Sequence, residues 1–133
     1  MYDYRRLKRI AEVEFPDIVV ATEIIRQRKL RIIIIDSSYV DIFYSPDSTN
    51  RHFAYHWERV FLDGTFYRHD NIPDGNWKNV ASFPKHFHNG QYENVQESNI
   101  PTLSGYGGSF ALFLDNSNCC RRTKRQISFN KIY

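Results

Sequence analysis

The amino-terminal segment has the spacing of one amphipathic helix. Apolar side chains recur three or four positions apart, at Tyr4, Leu7, Ile10 and Ala11. This spacing places them on one face of a helix, and most of the basic side chains lie outside that face. Pro16 forces the residue before it towards extended geometry. We therefore expect one helix over residues 3–14.

After Pro16 the pattern changes to that of β-strands. Three successive runs, residues 17–27, 29–36 and 39–44, are rich in β-branched and aromatic side chains, which favour strands. The second run is apolar on both of its faces, so we place it inside a sheet rather than at an edge.

Two further strands, residues 52–62 and 65–70, surround Asp63-Gly64, a dipeptide typical of tight hairpins. Residues 71–91 contain several prolines and glycines, and we expect them to form a long ordered loop over the hairpin. Residues 91–96 then return as an edge strand. Together these elements predict an α+β fold, with the helix packed on a five- or six-stranded, mainly antiparallel sheet.

A two-residue turn at Asp63-Gly64 also predicts the register of the hairpin. In this register Arg59 lies directly opposite Arg68, on the same face as Tyr55 and Asp70. Opposed arginines repel unless an anion lies between them, and either Asp70 or a bound phosphate would serve. A longer turn would change the register and exchange the two faces.

Composition and charge limit the class of protein. The chain has 133 residues, 16% of them aromatic, which suits one folded domain and argues against disorder. Its longest apolar run is too short to cross a bilayer, and no signal pattern is present. The two cysteines are adjacent, at positions 119 and 120, and do not form a disulfide framework. We expect a cytoplasmic protein with no membrane association.

Basic residues are concentrated at the two ends of the chain. Residues 116–133 carry five basic side chains and no acidic one, within a formal net charge of +3 for the whole chain. We predict a single α+β domain over residues 1–115 and a basic tail over residues 116–133. The tail is either disordered and solvated or attracted to a polyanion such as nucleic acid.

All five histidines lie between residues 52 and 88. Histidine suits proton transfer near neutral pH, and an extended Phe83–His88 segment would point His86 and His88 to one side. With Arg68 and Lys85 as phosphate-binding cations, these residues match the needs of a metal-independent ribonuclease without a cofactor. Alternatively, His86, His88 and either His56 or Asp70 bind a metal ion, or the histidines only hold the loop by hydrogen bonds.

Several motifs occur together and in order: Phe53-Ala54-Tyr55-His56-Trp57, Asp63-Gly64, Phe66-Tyr67-Arg68-His69-Asp70-Asn71 and Phe83-Pro84-Lys85-His86-Phe87-His88. This set resembles the TumE-like family of small prokaryotic proteins, the toxin component of a type II toxin–antitoxin system. The resemblance covers residues 17–97. It implies a compact α+β protein that a cognate antitoxin protein inhibits. The positions that match the family are Tyr55, His56, Arg68, Asp70, Asn71, Pro84, His86 and His88.

The sequence therefore favours a toxin that acts on RNA as an endoribonuclease. We expect catalytic roles for His56, Arg68, Asp70, His86 and His88. We expect phosphate or RNA binding by Arg59, Lys85, Tyr55 and Asn71. Two alternatives stay open: a non-catalytic RNA- or protein-binding module whose aromatic sheet face exposes Phe53, Tyr55 or Trp57, and a metal-dependent hydrolase. A homodimer would cover a sheet so rich in aromatic residues.

Overall fold

The computed structural model describes residues 4–45 and 51–100. Within these ranges the chain forms helix α1, seven strands, a one-turn helix α2 and a 3₁₀ turn at Gly75–Trp77. The helices and strands in chain order are α1 (Tyr4–Glu14), β1 (Val19–Ile25), β2 (Lys29–Ile34), β3 (Tyr39–Tyr44), β4 (Phe53–Arg59), α2 (Val60–Asp63), β5 (Thr65–Asp70), β6 (His86–Gly90) and β7 (Val95–Gln96).

The seven strands form one antiparallel sheet in which every strand pairs with its neighbours in the chain. The predicted α+β class is confirmed, and β2 is an interior strand as expected. The predicted number of five or six strands was too low. Residues 86–90, assigned to the long loop, pair with β5 as strand β6. The loop over the hairpin is correspondingly shorter, and the edge strand β7 has only two residues.

Helix α1 covers one face of the sheet and buries the core. Leu7 and Ala11 of the helix are fully buried, as are Leu30, Ile32 and Trp57 on the sheet. Alternate residues of β2 and β3 are buried, which is the pattern of strands with one covered face. The opposite face carries polar side chains and is not covered by a helix of the described residues.

The predicted register of the β4–β5 hairpin was wrong. Residues 60–63 form a helical turn, α2, instead of continuing the strand, and Gly64 closes that turn with its N–H on the Val60 carbonyl, 3.0 Å away. Arg59 therefore lies opposite Thr65, and Arg68 lies opposite His56. This shift of three residues exchanges the faces of β4 relative to the prediction, as expected for a longer turn.

No helix in the ranges 4–45 and 51–100 is long and apolar enough to cross a membrane. The predicted domain end at residue 115 and the basic tail over residues 116–133 lie outside the described residues. The homodimer stays a prediction.

Candidate active site

A row of polar side chains crosses the face of the sheet that α1 leaves uncovered. The strand register aligns one residue from each of five neighbouring strands: Arg31, Asp41, His56, Arg68 and His88. Because directly opposed residues in a sheet point to the same side, these five side chains share one face. Arg68 on β5 is flanked by an imidazole on each neighbouring strand, His56 on β4 and His88 on β6.

A second row continues this site. Asp70 lies opposite Ala54 on one side and opposite His86 on the other. Together the two rows form the floor of an open cavity of about 610 Å³, walled by the segment after β5 and by the β6–β7 turn. The cavity is lined by His56, Phe66, Arg68, Asp70, Ile72, Pro73, Asp74, Gly75, His86, His88 and Tyr92. The five predicted catalytic residues are therefore brought together.

Asp70 fixes the position of Arg68. The Arg68 Nε–H donates to Asp70 Oδ2 at 2.8 Å, and the backbone N–H of Ile72 donates to Asp70 Oδ1 at 3.0 Å. Asp70 is buried, whereas the Arg68 side chain is about 31% exposed to the cavity. A charge-assisted hydrogen bond to a buried carboxylate restricts the arginine side chain and leaves its remaining N–H donors for a ligand.

The rings of His86 and His88 are both buried, and each is held by a backbone carbonyl group. His86 Nδ1 lies 2.9 Å from the Pro84 carbonyl oxygen, and His88 Nδ1 lies 2.7 Å from the Tyr92 carbonyl oxygen. A carbonyl oxygen only accepts hydrogen bonds, so each Nδ1 carries a hydrogen. His86 Nε2 lies 3.4 Å from Asp70 Oδ1. One ligand atom from each of Asp70, His86 and His88 lies within 4.8 Å of the others, so these residues could hold a metal ion.

His56 lies on the β4 side of the cavity floor. Its ring stacks on Phe66 with the centroids 5.2 Å apart, and its Nε2 lies 3.5 Å from Glu58 Oε1. Its Nδ1 is buried, and no described residue gives it a hydrogen bond. Burial and the nearby Arg68 charge lower the pKa of His56. At neutral pH His56 is therefore uncharged, the form that accepts a proton.

Two aromatic residues that the sequence analysis missed enclose His88. The ring of Tyr92 stacks on His88 at 5.1 Å, and Trp77 meets the same imidazole edge-on at 5.9 Å. Burial is the largest cause of the lowered pKa of His88. Neither aromatic residue lies in a motif, because Trp77 comes from the irregular segment and Tyr92 from a turn whose position depends on the unpredicted strand β6.

Four predicted binding residues lie away from this cavity. Tyr55 is buried on the α1 side, 2.5 Å from the Tyr44 hydroxyl. The Arg59 guanidinium is buried between Asp36 and Asp63. Lys85 Nζ donates to the Ile100 carbonyl at 2.9 Å. The Asn71 side chain accepts from the Phe53 N–H and donates to the Arg51 carbonyl, so it joins the ends of two strands.

These placements have physical reasons. Tyr55 and Arg59 were assigned to the site through the incorrect hairpin register. Lys85 comes immediately before β6, next to His86, and its side chain is directed to the Ile100 carbonyl instead of the cavity. The aromatic binding face proposed from Phe53, Tyr55 and Trp57 was likewise wrong, because all three side chains are buried in the core with α1.

The remaining histidines are separate from the site. His69 is buried on the α1 side, where its ring stacks on Phe87 at 4.2 Å and its Nδ1 bonds the Ser98 hydroxyl. Burial, with smaller effects of Lys85, His86 and His88, lowers its pKa to about 3. His52 precedes β4 and does not line the cavity.

A second cavity of about 290 Å³ adjoins the first on the same sheet face. Both cavities share His56 and Arg68. The second is otherwise lined by Lys29, Arg31, Tyr39, Asp41, Phe43 and Ala54. The two cavities together extend across the open face from β2 to β6.

Comparison with known protein families matches residues 5–116 to a family described as Toxin TumE. Comparisons with curated proteins and with solved structures gave no significant match.

Proposed function

The chain belongs to the TumE toxin family, and on this basis we propose that it is a toxin that cleaves RNA in the cavity around Arg68. One observation carries the proposal. A partly exposed arginine, fixed by a buried carboxylate, lies at the floor of an open cavity between His56 on one neighbouring strand and His88 on the other.

The spacing of the strands suits a phosphodiester. Neighbouring strands lie about 4.8 Å apart, so the backbones that carry His56 and His88 are separated by roughly 10 Å with Arg68 between them. In an in-line reaction at phosphorus, the attacking and the leaving oxygen lie on opposite sides of the phosphate. A phosphate bound to Arg68 would therefore have one imidazole near each of these oxygens.

His56 is the proposed base, because its lowered pKa keeps it neutral. It takes the proton from the 2′-hydroxyl as the 2′-oxygen forms its bond to phosphorus. The bond from phosphorus to the 5′-oxygen breaks, and protonated His86, whose Nε2 faces Asp70, gives that oxygen a proton. The products are a 2′,3′-cyclic phosphate and a 5′-hydroxyl end. Arg68 stabilises the charge that develops on the phosphate oxygens.

We also propose that the toxin is held inactive by a cognate antitoxin protein. The support is membership of a toxin family, since a cell that makes such a toxin needs to control it. A gene for a small protein beside the gene of this chain, whose product binds the chain and abolishes its toxicity, is the expected finding.

The test of RNA cleavage uses the purified full chain and end-labelled total RNA. Wild-type protein should release fragments with 5′-hydroxyl ends. Arg68→Ala should reduce the rate at least about 100-fold, because it removes the cation that binds the transition state. Arg68→Lys should retain part of the activity, since it keeps the charge but loses the planar set of donors.

Arg28→Ala is the matched control. Arg28 is an exposed arginine in the β1–β2 turn, outside both cavities, so its removal changes net charge equally without touching the site. Equal activity of the Arg68→Ala and Arg28→Ala variants would contradict the assignment of Arg68. RNA that is bound but stays intact, at protein levels that arrest growth, would contradict cleavage and favour a binding module.

A further inference from the structure

We propose that Asp70, His86 and His88 form a binding site for a divalent transition-metal ion, of which Zn²⁺ is the representative. Two imidazoles and one carboxylate are ligands that such ions prefer, and three protein ligands with an open position are typical of catalytic sites. The three ligand atoms already lie within 4.8 Å of one another. Around a tetrahedral ion with bonds of about 2.0–2.1 Å, they would lie roughly 3.3–3.4 Å apart.

The hydrogen bonds of the two imidazoles support metal binding most directly. Because Nδ1 of His86 and Nδ1 of His88 both donate to backbone carbonyls, the neutral form of each ring presents a lone pair at Nε2. Metal-binding histidines are held in this way, with the second nitrogen donating to a carbonyl or a carboxylate. Both rings are buried, so neither is free to turn away.

The carboxylate is also prepared as a ligand. Asp70 Oδ1 faces His86 Nε2 at 3.4 Å, while Arg68 and the backbone of Ile72 hold the carboxylate in place. At this distance the two atoms are close enough to share one cation. The third ligand, His88, and the burial of all three residues favour a metal ion in that position.

The proposed metal site opens into the larger cavity, because its three ligands line that cavity together with Arg68. An ion there would have a free position for a water molecule or for an oxygen of the phosphate that Arg68 binds. This role rests on the proposed function and would replace the metal-independent reaction predicted from the sequence. Binding of the ion itself does not depend on RNA, so it is tested without RNA.

The experiment measures binding of Zn²⁺ alone. Full-length protein is stripped with a chelator, dialysed, and titrated with Zn²⁺ by calorimetry, and Co²⁺ is added in parallel to record its visible absorption. Wild-type protein should bind one equivalent and should melt at a higher temperature with metal. His86→Ala, His88→Ala and Asp70→Asn should each weaken binding at least tenfold and abolish the Co²⁺ spectrum.

His56→Gln is the matched control, because it removes an imidazole from the same cavity without removing a ligand. It should bind Zn²⁺ as the wild type does. Asp70→Asn keeps the shape of the side chain, so it remains informative if a histidine variant does not fold, which circular dichroism of the apoprotein shows. Binding that the Asp70→Asn change leaves intact would overturn the site.

A stripped wild-type protein that binds no Zn²⁺ would also overturn the site. Failure of the proposed function has a different signature. In that case Zn²⁺ binds with the stated ligand dependence, but RNA stays intact in its presence.

Discussion

Asp36 shows how strongly one residue can fix the end of this sheet. Its carboxylate accepts from the Ser38 N–H at 2.9 Å and forms an ion pair with the buried Arg59 guanidinium. Burial alone would raise the pKa of Asp36, but the hydrogen bonds from Ser38 and Arg59 outweigh it and hold that pKa below its usual value. The turn before β3 is thereby joined to the end of β4.

We predict that Asp36→Asn lowers the free energy of unfolding by about 2–3 kcal/mol at pH 7, because it leaves the buried Arg59 charge with less compensation. An acid with a lowered pKa binds fewer protons in the folded state than in the unfolded state. Its contribution is therefore complete above about pH 4 and is lost as the pH falls further. Urea unfolding at pH 7 and at pH 3 should show a smaller difference between variant and wild type at pH 3.

Asp63→Asn provides the comparison for this prediction. Asp63 pairs with the same guanidinium, but its side chain is 42% exposed, so its loss should matter much less. Equal destabilisation by the two changes, or a difference between Asp36→Asn and wild type that does not depend on pH, would contradict the role given to Asp36.

At the scale of elements, the turn between β4 and β5 determines which side chains meet. Helix α2 takes up residues 60–63, and Gly64 follows with φ of 77°, the left-handed conformation that commonly ends a helix. A two-residue turn at Asp63-Gly64 would have placed Arg59 beside Arg68. The single helical turn places His56 there instead, so α2 determines the composition of the site.

We predict that Gly64→Ala lowers the free energy of unfolding by about 1 kcal/mol or slightly more, because an L-residue pays a penalty at this positive φ. Gly75→Ala is the matched control. A Cβ added at either glycine would meet no atom within 4 Å, but only Gly64 has a positive φ. Urea unfolding should therefore show no loss for Gly75→Ala, and equal losses for both variants would contradict this explanation.

The fold was predictable where the pattern of side chains is local and regular. The helix was placed within one residue of its observed start, and β3 was placed at its observed bounds. Strand β6 was missed because its residues, His86 to Gly90, are mostly polar and have low strand propensity. It exists because β5 offers a free edge for pairing, which is a tertiary effect. The hairpin register failed for a local reason: the helical turn α2, which Gly64 closes and the Arg59–Asp63 ion pair spans, replaces the tight turn.

At the scale of the whole molecule, the sheet separates two functions. One face, with α1, contains the core, including Tyr55 and His69, and the other carries the charged and imidazole groups. Alternation along a strand predicted that Arg68 shares a face with Asp70, and that His86 shares a face with His88. The meeting of these two pairs with His56 could not be predicted, because it depends on α2 and on strand β6. The enclosing residues Trp77 and Tyr92 could not be predicted, because their positions depend on the path of the chain around β6.

A neighbouring carboxylate neutralises part of the positive charge on the open face. Asp41 accepts from Arg31 Nε at 2.8 Å and from Lys29 Nζ at 3.0 Å, inside the second cavity. If RNA crosses this face from β6 towards β2, as the adjoining cavities suggest, Asp41 reduces the attraction of these two cations for the phosphates. The charge balance of this face, rather than the net charge of the chain, then controls affinity.

We predict that Asp41→Asn tightens binding of a short 2′-O-methyl RNA, which cannot be cleaved, by about fivefold at low salt, equivalent to roughly 1 kcal/mol. The plot of log affinity against log salt should become steeper by about 0.7 for each phosphate that Lys29 or Arg31 gains. Glu14→Gln makes the same charge change at the end of α1, on the side of the sheet away from the open face. It should leave both the affinity and its salt dependence unchanged. An equal gain from both variants, measured by fluorescence anisotropy, would show that only net charge matters and that RNA does not follow this face.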